Sequence, residues 1–527
     1  MRAKAAFFGM LAAAAAAKTG LDSTNGQSAG KAWWAHVRFL ADDKLQGRNV
    51  GSTGFEMAAD YVANQFKRAG LDPAVRGSYS QPVAFIKSTL NEAESEIDLL
   101  RDGTSAPVEL GETVLISSQT SVEKIEAPLV FAGYGLDIPE AGYSDLKDPA
   151  LRGAIAVYLN GGPSNISPEL RSHHASGAER AAAMRAVGVI GSVQIPNPRS
   201  MDIPWPRQMA NRLLPRMMLA EAGAPLLQFT ATWNPAQADR LFDGSGHTIA
   251  EILDAADHDR PLPHFVLPAK MRARVSTRHE TVGSRNIVGI RPGSADALKN
   301  ECVILSAHLD HLGVGEKING DGIFNGAMDD ASGVASLIEI ARALKAGRVK
   351  TNRSIVFLAV TGEEKGELGS QYFANHPATP GRIVADINMD MYLPLFPLKY
   401  LEVQGLNEST LGDDIRAVSA AAHVEVQADK DPNANRFIRS DQYSFIRKGI
   451  PALAFKFGWV PGSPEEKIYR DWYRDRYHAV ADDARQPVDI EAAAQFNAIL
   501  GALLQRIADA PQAPHWKPES FFRRFAQ

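Results

Sequence analysis

The chain has 527 residues; at about 150 residues per domain this leads to an expectation of two to four domains with room for a large core. Lys and Arg number 56 against 61 Asp and Glu, a formal charge of −5, which argues against nucleic-acid binding, where a basic surplus is the rule. Hydrophobic residues make up 45% and charged ones 22%, which excludes disorder or collagen-like repeats for the bulk of the chain. Cys302 is the only cysteine. That excludes an internal disulfide framework and a multi-cysteine zinc site, and it leaves no thiol near residue 20 to carry a lipid.

Residues 1–17 read as a secretory signal. Arg2 and Lys4 open it, and the apolar stretch Ala5 to Ala17 is shorter than the roughly 20 residues needed to span a bilayer. Ala15 and Ala17 supply small residues before a cleavage point at Lys18. No later run of 18 apolar residues occurs in the sequence. The expectation is an exported protein, periplasmic or extracellular, without stable membrane insertion.

Residues 18–119 read as the N-terminal part of a first domain. Phe55, Ala58, Ala59, Val62, Phe66 and Ala69 predict an amphipathic helix over 54–70, with Gly70 as its stop. Over 120–275 short apolar strands alternate with Gly/Pro turns: Leu129 to Ala132, Ala154 to Leu159 and Val189 to Ile195, with a helix from Gly177 to Val187. This predicts a smaller α/β domain inserted into the first. His173-His174 within it reads as surface.

Residues 276–510 resume the first domain. Val303 to Ala307, Ile355 to Val360, Ile383 to Met389 and Ala452 to Phe457 are short apolar runs that suit strands covered on both faces. Between the first two, Val334, Leu337, Ile338, Ala341 and Leu344 mark a helix that stops near Gly347. The predicted fold class is α/β, a mixed, mostly parallel sheet flanked by helices. The tail 511–527 has little periodicity.

Candidate ligands stand just beyond the carboxyl ends of the predicted strands. His308 and Asp310 follow the first, Glu363 and Glu364 the second, and Asp390 the third. Asp329 and Asp330 precede the helix near Ser332, and His478 lies in a late loop. Open α/β sheets bind ligands at that edge, so separated segments can converge on one crevice. Two imidazoles and three carboxylates match a pair of zinc ions with one bridging carboxylate. A water between such ions has its pKa lowered toward about 7. A further carboxylate would take its proton and pass it to a leaving amine. Taken singly, each residue has a structural reading: a solvated Glu pair, an aspartate cap on a helix, a hydrogen-bonded core histidine. His311 is an alternative to His308 as the ligand in that segment. The order of the segments, each at a strand end, is the signal.

Ser306-Ala307-His308-Leu309-Asp310, Asn325-Gly326-Ala327-Met328-Asp329-Asp330-Ala331-Ser332-Gly333, Thr361-Gly362-Glu363-Glu364, Asn388-Met389-Asp390-Met391 and Tyr477-His478 resemble, in order, the motifs of the co-catalytic dizinc aminopeptidases, the twenty-eighth metallopeptidase family. The segment Leu40 to Arg48 and the helix after it are similar to the N-terminal portion of that family. The resemblance implies two zinc ions held by His308, Asp329, Glu364, Asp390 and His478, with Asp329 bridging. It makes Glu363 the general base and then acid, and Asp310 the partner that orients His308. Phe131-Ala132-Gly133-Tyr134-Gly135, Leu151 to Val157 and Ala186 to Gly191 are similar to the protease-associated domain of many members.

Two departures stand out. The family's Ser-Asp-His is here Ser440-Asp441-Gln442, and its Tyr-His-Thr-Pro is Tyr477-His478-Ala479-Val480. The resemblance implies an aminopeptidase that acts on peptides through a metal-bridging hydroxide. The alternatives are a carboxypeptidase of the same superfamily, with Arg436 and Arg439 as carboxylate clamps, a one-zinc glutaminyl cyclase, and a receptor-like protein without catalysis. Tyr469, Trp472, Tyr473 and Tyr477 are candidate pocket residues.

Overall fold

The computed structural model describes residues 23–119, 122–434 and 436–526. The expected signal at 1–17 lies outside the described residues. The larger sheet is built from β1 (Ser80–Leu90), β2 (Arg216–Leu219), β3 (Thr277–Arg291), β4 (Glu301–His308), β5 (Ser354–Val360), β6 (Arg382–Asn388), β7 (Tyr400–Gln404), β8 (Glu425–Ala428) and β9 (Ala452–Phe457), in the order β2-β1-β3-β5-β4-β6-β9-β7-β8. β4 pairs in parallel with β5 and β6, and β6 with β9. Parallel ladders thus occupy the centre. The β2-β1-β3-β5 side is antiparallel, as is the β9-β7 pair beyond the centre. The fold class is the expected mixed α/β sheet flanked by helices.

The central strands are apolar on both sides because both faces are covered. Val303, Leu305 and Ala307 of β4 and Ile355, Phe357 and Ala359 of β5 meet one core. Helices α1 (Ser23–Leu40), α2 (Thr53–Arg68), α3 (Ser332–Ala346) and α7 (Ile490–Asp509) supply its other half. Cys302, Ile304, Val356, Leu358 and Val360 face the opposite side with Phe373 and Phe445, from helices α4 (Leu368–Asn375) and α5 (Gln442–Ile446). Helix α6 (Pro464–Asp475) carries the chain toward His478. The predicted helix at 54–70 is α2, capped by the Ser52 side chain. Cys302 is buried and free.

A second, eight-stranded sheet lies between β1 and β3 in sequence. Its order is Thr104–Pro107, Glu96–Arg101, His264–Val275, Val122–Ala132, Ile155–Leu159, Gly191–Ile195, Phe229–Trp233 and Val114–Ile116. The expected boundary at 120 therefore shifts. Three strands ahead of it belong to this sheet, with Glu96–Arg101 paired to His264–Val275 and only Ile97 and Leu99 turned inward. Such short alternating strands carry no apolar run to read. The stretch 120–275 is also not closed on itself, because β2 leaves it and pairs with β1 in the larger sheet. The tail is packed over residues 511–526: Trp516 bridges to Ser409, and Phe522 is buried against Phe437 and Trp516.

His173 is corrected from surface to interior. Its Nδ1 lies 2.6 Å from the Tyr443 hydroxyl of α5, with Phe521 and Phe525 around the ring. Burial lowers the imidazole from its ordinary 6.5 to about 4, so the folded ring stays neutral where the unfolded one takes a proton. Between those two values the unfolded chain binds more protons. The His173 contribution is therefore complete above about pH 6.5 and is lost as the pH falls toward about 4. His173→Gln should flatten the fall in melting temperature between about pH 7 and pH 5 relative to the parent. Parallel curves for the two proteins would rule this linkage out.

Candidate metal centre

β4, β5 and β6 run parallel, so their carboxyl ends open on one edge of the sheet. His308 is the last residue of β4, Glu363 and Glu364 follow β5 after a Thr361-Gly362 turn, and Asp390 follows β6 by two residues. Asp329 sits in the irregular turn Ala327–Ala331 ahead of α3, where the Asp329–Asp330 peptide is cis. His478, three residues past α6, has φ +52°, a left-handed conformation that a non-glycine residue adopts where its surroundings hold it.

These side chains meet in two groups that share Asp329. In the first, His308 Nε2 is 3.0 Å from Asp329 Oδ1 and 3.5 Å from Asp390 Oδ1. In the second, His478 Nε2 is 3.2 Å from Asp329 Oδ2 and 3.1 Å from Glu364 Oε2, and His311 Nδ1 is 2.6 Å from Glu364 Oε1. Glu363 Oε2 is 4.0 Å from His308 Nε2. Glu363 and Glu364 both line a cavity of about 200 Å³, the Glu363 side chain 11% and the Glu364 side chain 2% exposed. The sequence segments that were expected to converge do converge.

The electrostatics are those of carboxylates packed out of water. Burial first, then Asp390, Glu364 and Asp441, hold the Glu363 carboxyl well above its ordinary range. Burial alone would lower His308 and His478, but the surrounding carboxylates win: His308 is raised well above the usual value, and His478 is raised to about 10. Against the same burial penalty, neighbouring imidazoles depress Glu364, with His478 and His311 the main contributors, and Asp329, where His308 and His478 act. His308 Nε2, Asp329 Oδ2, Glu364 Oε1 and Asp390 Oδ1 are buried without a hydrogen-bond partner among the described residues. Orphaned nitrogen and oxygen atoms aimed at one another are the donor set of a divalent cation, and this mix of imidazole and carboxylate suits zinc.

The supports are as informative as the donors. Asp330 is no ligand: its carboxylate accepts from the peptide N–H of Gly333, His308 and Met391, tying α3 to the ends of β4 and β6. A Cβ at Gly333 would stand 2.4 Å from Asp330 Oδ2, so glycine is required there. The Asp310 carboxylate does not reach His308. It accepts from the Glu363 N–H at 3.1 Å, while the Asp310 carbonyl lies 3.1 Å from His308 Nδ1. Gln442, the departure from the family pattern, accepts from Asn388 Nδ2 at 2.6 Å and lines the cavity. Tyr473 and Tyr477 also line it, whereas Tyr469 and Trp472 pack into the core.

Sequence reasoning missed several supports. Arg48 is fully buried, and its guanidinium donates to the carbonyls of Leu309, Leu40, Asn325 and Gly326 behind the centre. Lys456 donates to the carbonyls of Asp390 and Met391. From the connection between the two sheets, Arg207 donates to the carbonyls of Tyr477 and Arg474, next to His478. Asp482 accepts from the N–H of Met328 and of Asp329 and so fixes the turn that presents Asp329. An acidic pair four residues past His478 was the only signal for it. Asp482→Ala should cost roughly 2–4 kcal/mol in urea unfolding, because two buried N–H groups lose their acceptor. A loss below about 0.5 kcal/mol would show that the turn holds itself.

Residues 286–504 match the model described as Peptidase family M28. The probable leucine aminopeptidase 2 of Aspergillus oryzae (strain ATCC 42149 / RIB 40) is 30% identical over 230 residues, 40% of this chain and 42% of its own length. Aminopeptidase YwaD of Bacillus subtilis (strain 168) is 25% identical over 222 residues, 41% of this chain and 45% of its own. The chain thus spans less than half the length of these curated relatives. The fold is shared more widely. An aminopeptidase from Aneurinibacillus sp. strain AM-1 superposes with a TM-score of 0.56 at 20% identity, over 92% of this chain and 95% of that one. BSAP, a zinc aminopeptidase from Bacillus subtilis, gives 0.50 at 18% identity, over 91% and 95%.

Proposed function

We propose that the chain, whose residues 286–504 match the model of peptidase family M28, is a zinc-dependent aminopeptidase that hydrolyses N-terminal peptide bonds. The observation that carries this reading is the pair of donor groups sharing Asp329, with Glu363 on their open side. His308, Asp329 and Asp390 would hold one ion, and Asp329, Glu364 and His478 the other. Bound zinc supplies Lewis-acid polarisation of the scissile carbonyl and a lowered pKa for the attacking water. The residues do the rest. Glu363 takes the proton from the water and delivers it to the leaving amine. Asp310 fixes Glu363 through its peptide N–H and His308 through its own carbonyl.

The charge on the cavity wall favours an amine over a carboxylate. Arg436 and Arg439, the candidate carboxylate clamps, are already engaged. Arg439 Nη1 donates to Asp202 Oδ2 at 3.0 Å, while Arg436 pairs with Asp202 and Asp431 at 3.7 and 3.6 Å and stacks over Tyr473. Glu367, which has no role at the ions, lines the same cavity and suits a substrate ammonium. Asp202 lies on the connection from the second sheet, which supports a role for that protease-associated-like unit in shaping access. Export rests on the sequence of residues 1–17; among the described residues no helix is long and apolar enough to cross a membrane.

A panel of aminoacyl and C-terminal peptide substrates, assayed with and without a chelator, tests the reading. Aminoacyl substrates should be cleaved, the chelator should stop cleavage, and added zinc should restore it. Release of C-terminal residues alone would favour the carboxypeptidase, and a chain that takes up no zinc would favour the receptor-like protein. Glu363→Gln should lower kcat by about 10²–10⁴ with zinc content unchanged. Asp329→Ala should bring the zinc measured per chain below the parent value. Parent activity in Glu363→Gln would sink the base assignment.

A further inference from the structure

We propose that His311 is a ligand of the His478 position, so that the two ions of the centre are held unequally. The inference rests on the metallopeptidase reading and adds a donor to it. One position would then offer a single imidazole with two carboxylates, and the other two imidazoles with two carboxylates.

The geometry begins with burial. His311 is 0% exposed, and neither of its ring nitrogens has a hydrogen-bond partner of acceptable geometry among the described residues. A buried imidazole with both nitrogens unpaired is expensive, so something must meet it. Its Nδ1 stands 2.6 Å from Glu364 Oε1 and 3.9 Å from Asp329 Oδ2. Those two carboxylates are the ones that His478 Nε2 approaches through Asp329 Oδ2 and Glu364 Oε2. The two rings are 5.9 Å apart and inclined at 74°, so they face one carboxylate pair from two directions.

The His311 ring is also fixed in place. A Cβ on Gly326 would lie 2.5 Å from His311 Cγ, so that backbone presses on the ring. The His311 N–H donates to the Arg48 carbonyl at 3.3 Å, and the Arg48 guanidinium holds the carbonyls of Leu309 and Gly326 on either side. The imidazole is therefore presented to the centre by the same scaffold that presents Asp329.

Imidazole nitrogen strengthens binding of zinc relative to harder ions such as manganese or magnesium, which prefer oxygen. The His311/His478 position should fill first and release its ion last. The His308 position, with one imidazole fewer, should be the exchangeable one.

The test is a zinc titration of the full, metal-stripped chain by calorimetry against a competing chelator. X-ray absorption at the zinc edge, recorded at one equivalent, accompanies it. The parent should bind zinc in two separated steps, and the first equivalent should show two imidazoles. His311→Asn should weaken the tight step by more than about 100-fold, beyond the roughly 10–100-fold that loss of an outer hydrogen-bonding partner costs. The first equivalent should then show one imidazole. His478→Asn should weaken the same step, and His308→Asn the other. His311→Gln serves as a second replacement, and urea unfolding of each metal-free variant confirms that it folds. One imidazole at the first equivalent in the parent, or two unchanged steps in His311→Asn and His311→Gln, would overturn the inference and leave His311 as a hydrogen-bond partner of Glu364. Absence of zinc binding by the parent would overturn the metal centre itself.

Discussion

A concentration of negative charge largely withdrawn from water governs this molecule. Asp329, Asp330 and Asp441 are buried at or near the carboxyl edge of the central strands, and the Asp390, Glu363 and Glu364 side chains lie nearly out of reach of solvent beside them. Ionised carboxylates at such a depth are tolerated only with cations and hydrogen-bond donors around them. Asp330 is met by peptide N–H groups. The Arg48 guanidinium and the Lys456 ammonium supply positive charge from behind. The imidazoles of His308, His311 and His478 stand among the remainder. The orphaned donor atoms left after this accounting are where a dication belongs, and the fold around them reads as a device for keeping them in place.

The second sheet bears on that centre through its connections more than through its core. The chain leaving Gly191–Ile195 lends Asp202 to the cavity wall before it becomes β2. On the way Asp202 engages Arg439 and Arg436, and Arg207 holds the carbonyls of Arg474 and Tyr477 ahead of His478. One strap therefore neutralises the basic wall of the pocket and steadies a donor at its floor. One segment thus touches both the arginines of the cavity wall and the chain just ahead of His478.

Much of the centre was legible in the sequence, for a definite reason. Parallel strands buried on both faces must be apolar runs, and the polar residue that ends such a run must lie at the sheet edge. His308, Glu363, Glu364 and Asp390 were found by that rule. What escaped notice has no such signature. Arg48 acts through its guanidinium on carbonyls, which any sequence offers. Asp482 acts through N–H groups of a turn. The strands Glu96–Arg101 and Thr104–Pro107 are too short and too polar to show a pattern, so the second sheet appeared to begin too late. His173 looked like a surface residue because its partner, Tyr443, comes 270 residues later. His311 was visible as a rival to His308. Sequence spacing could not show that the two serve opposite sides of Asp329.

The splice of β2 into the edge of the larger sheet has an architectural consequence. It covers one side of β1, while β3 covers the other, so β1 has no free edge along Phe85–Ser88. Excision of the smaller unit as a cassette would strip that cover and leave a row of unpaired peptide groups open to any passing strand. The two sheets are therefore not interchangeable modules. A shuffled or trimmed descendant would have to re-cap that edge before it could stay dispersed in solution.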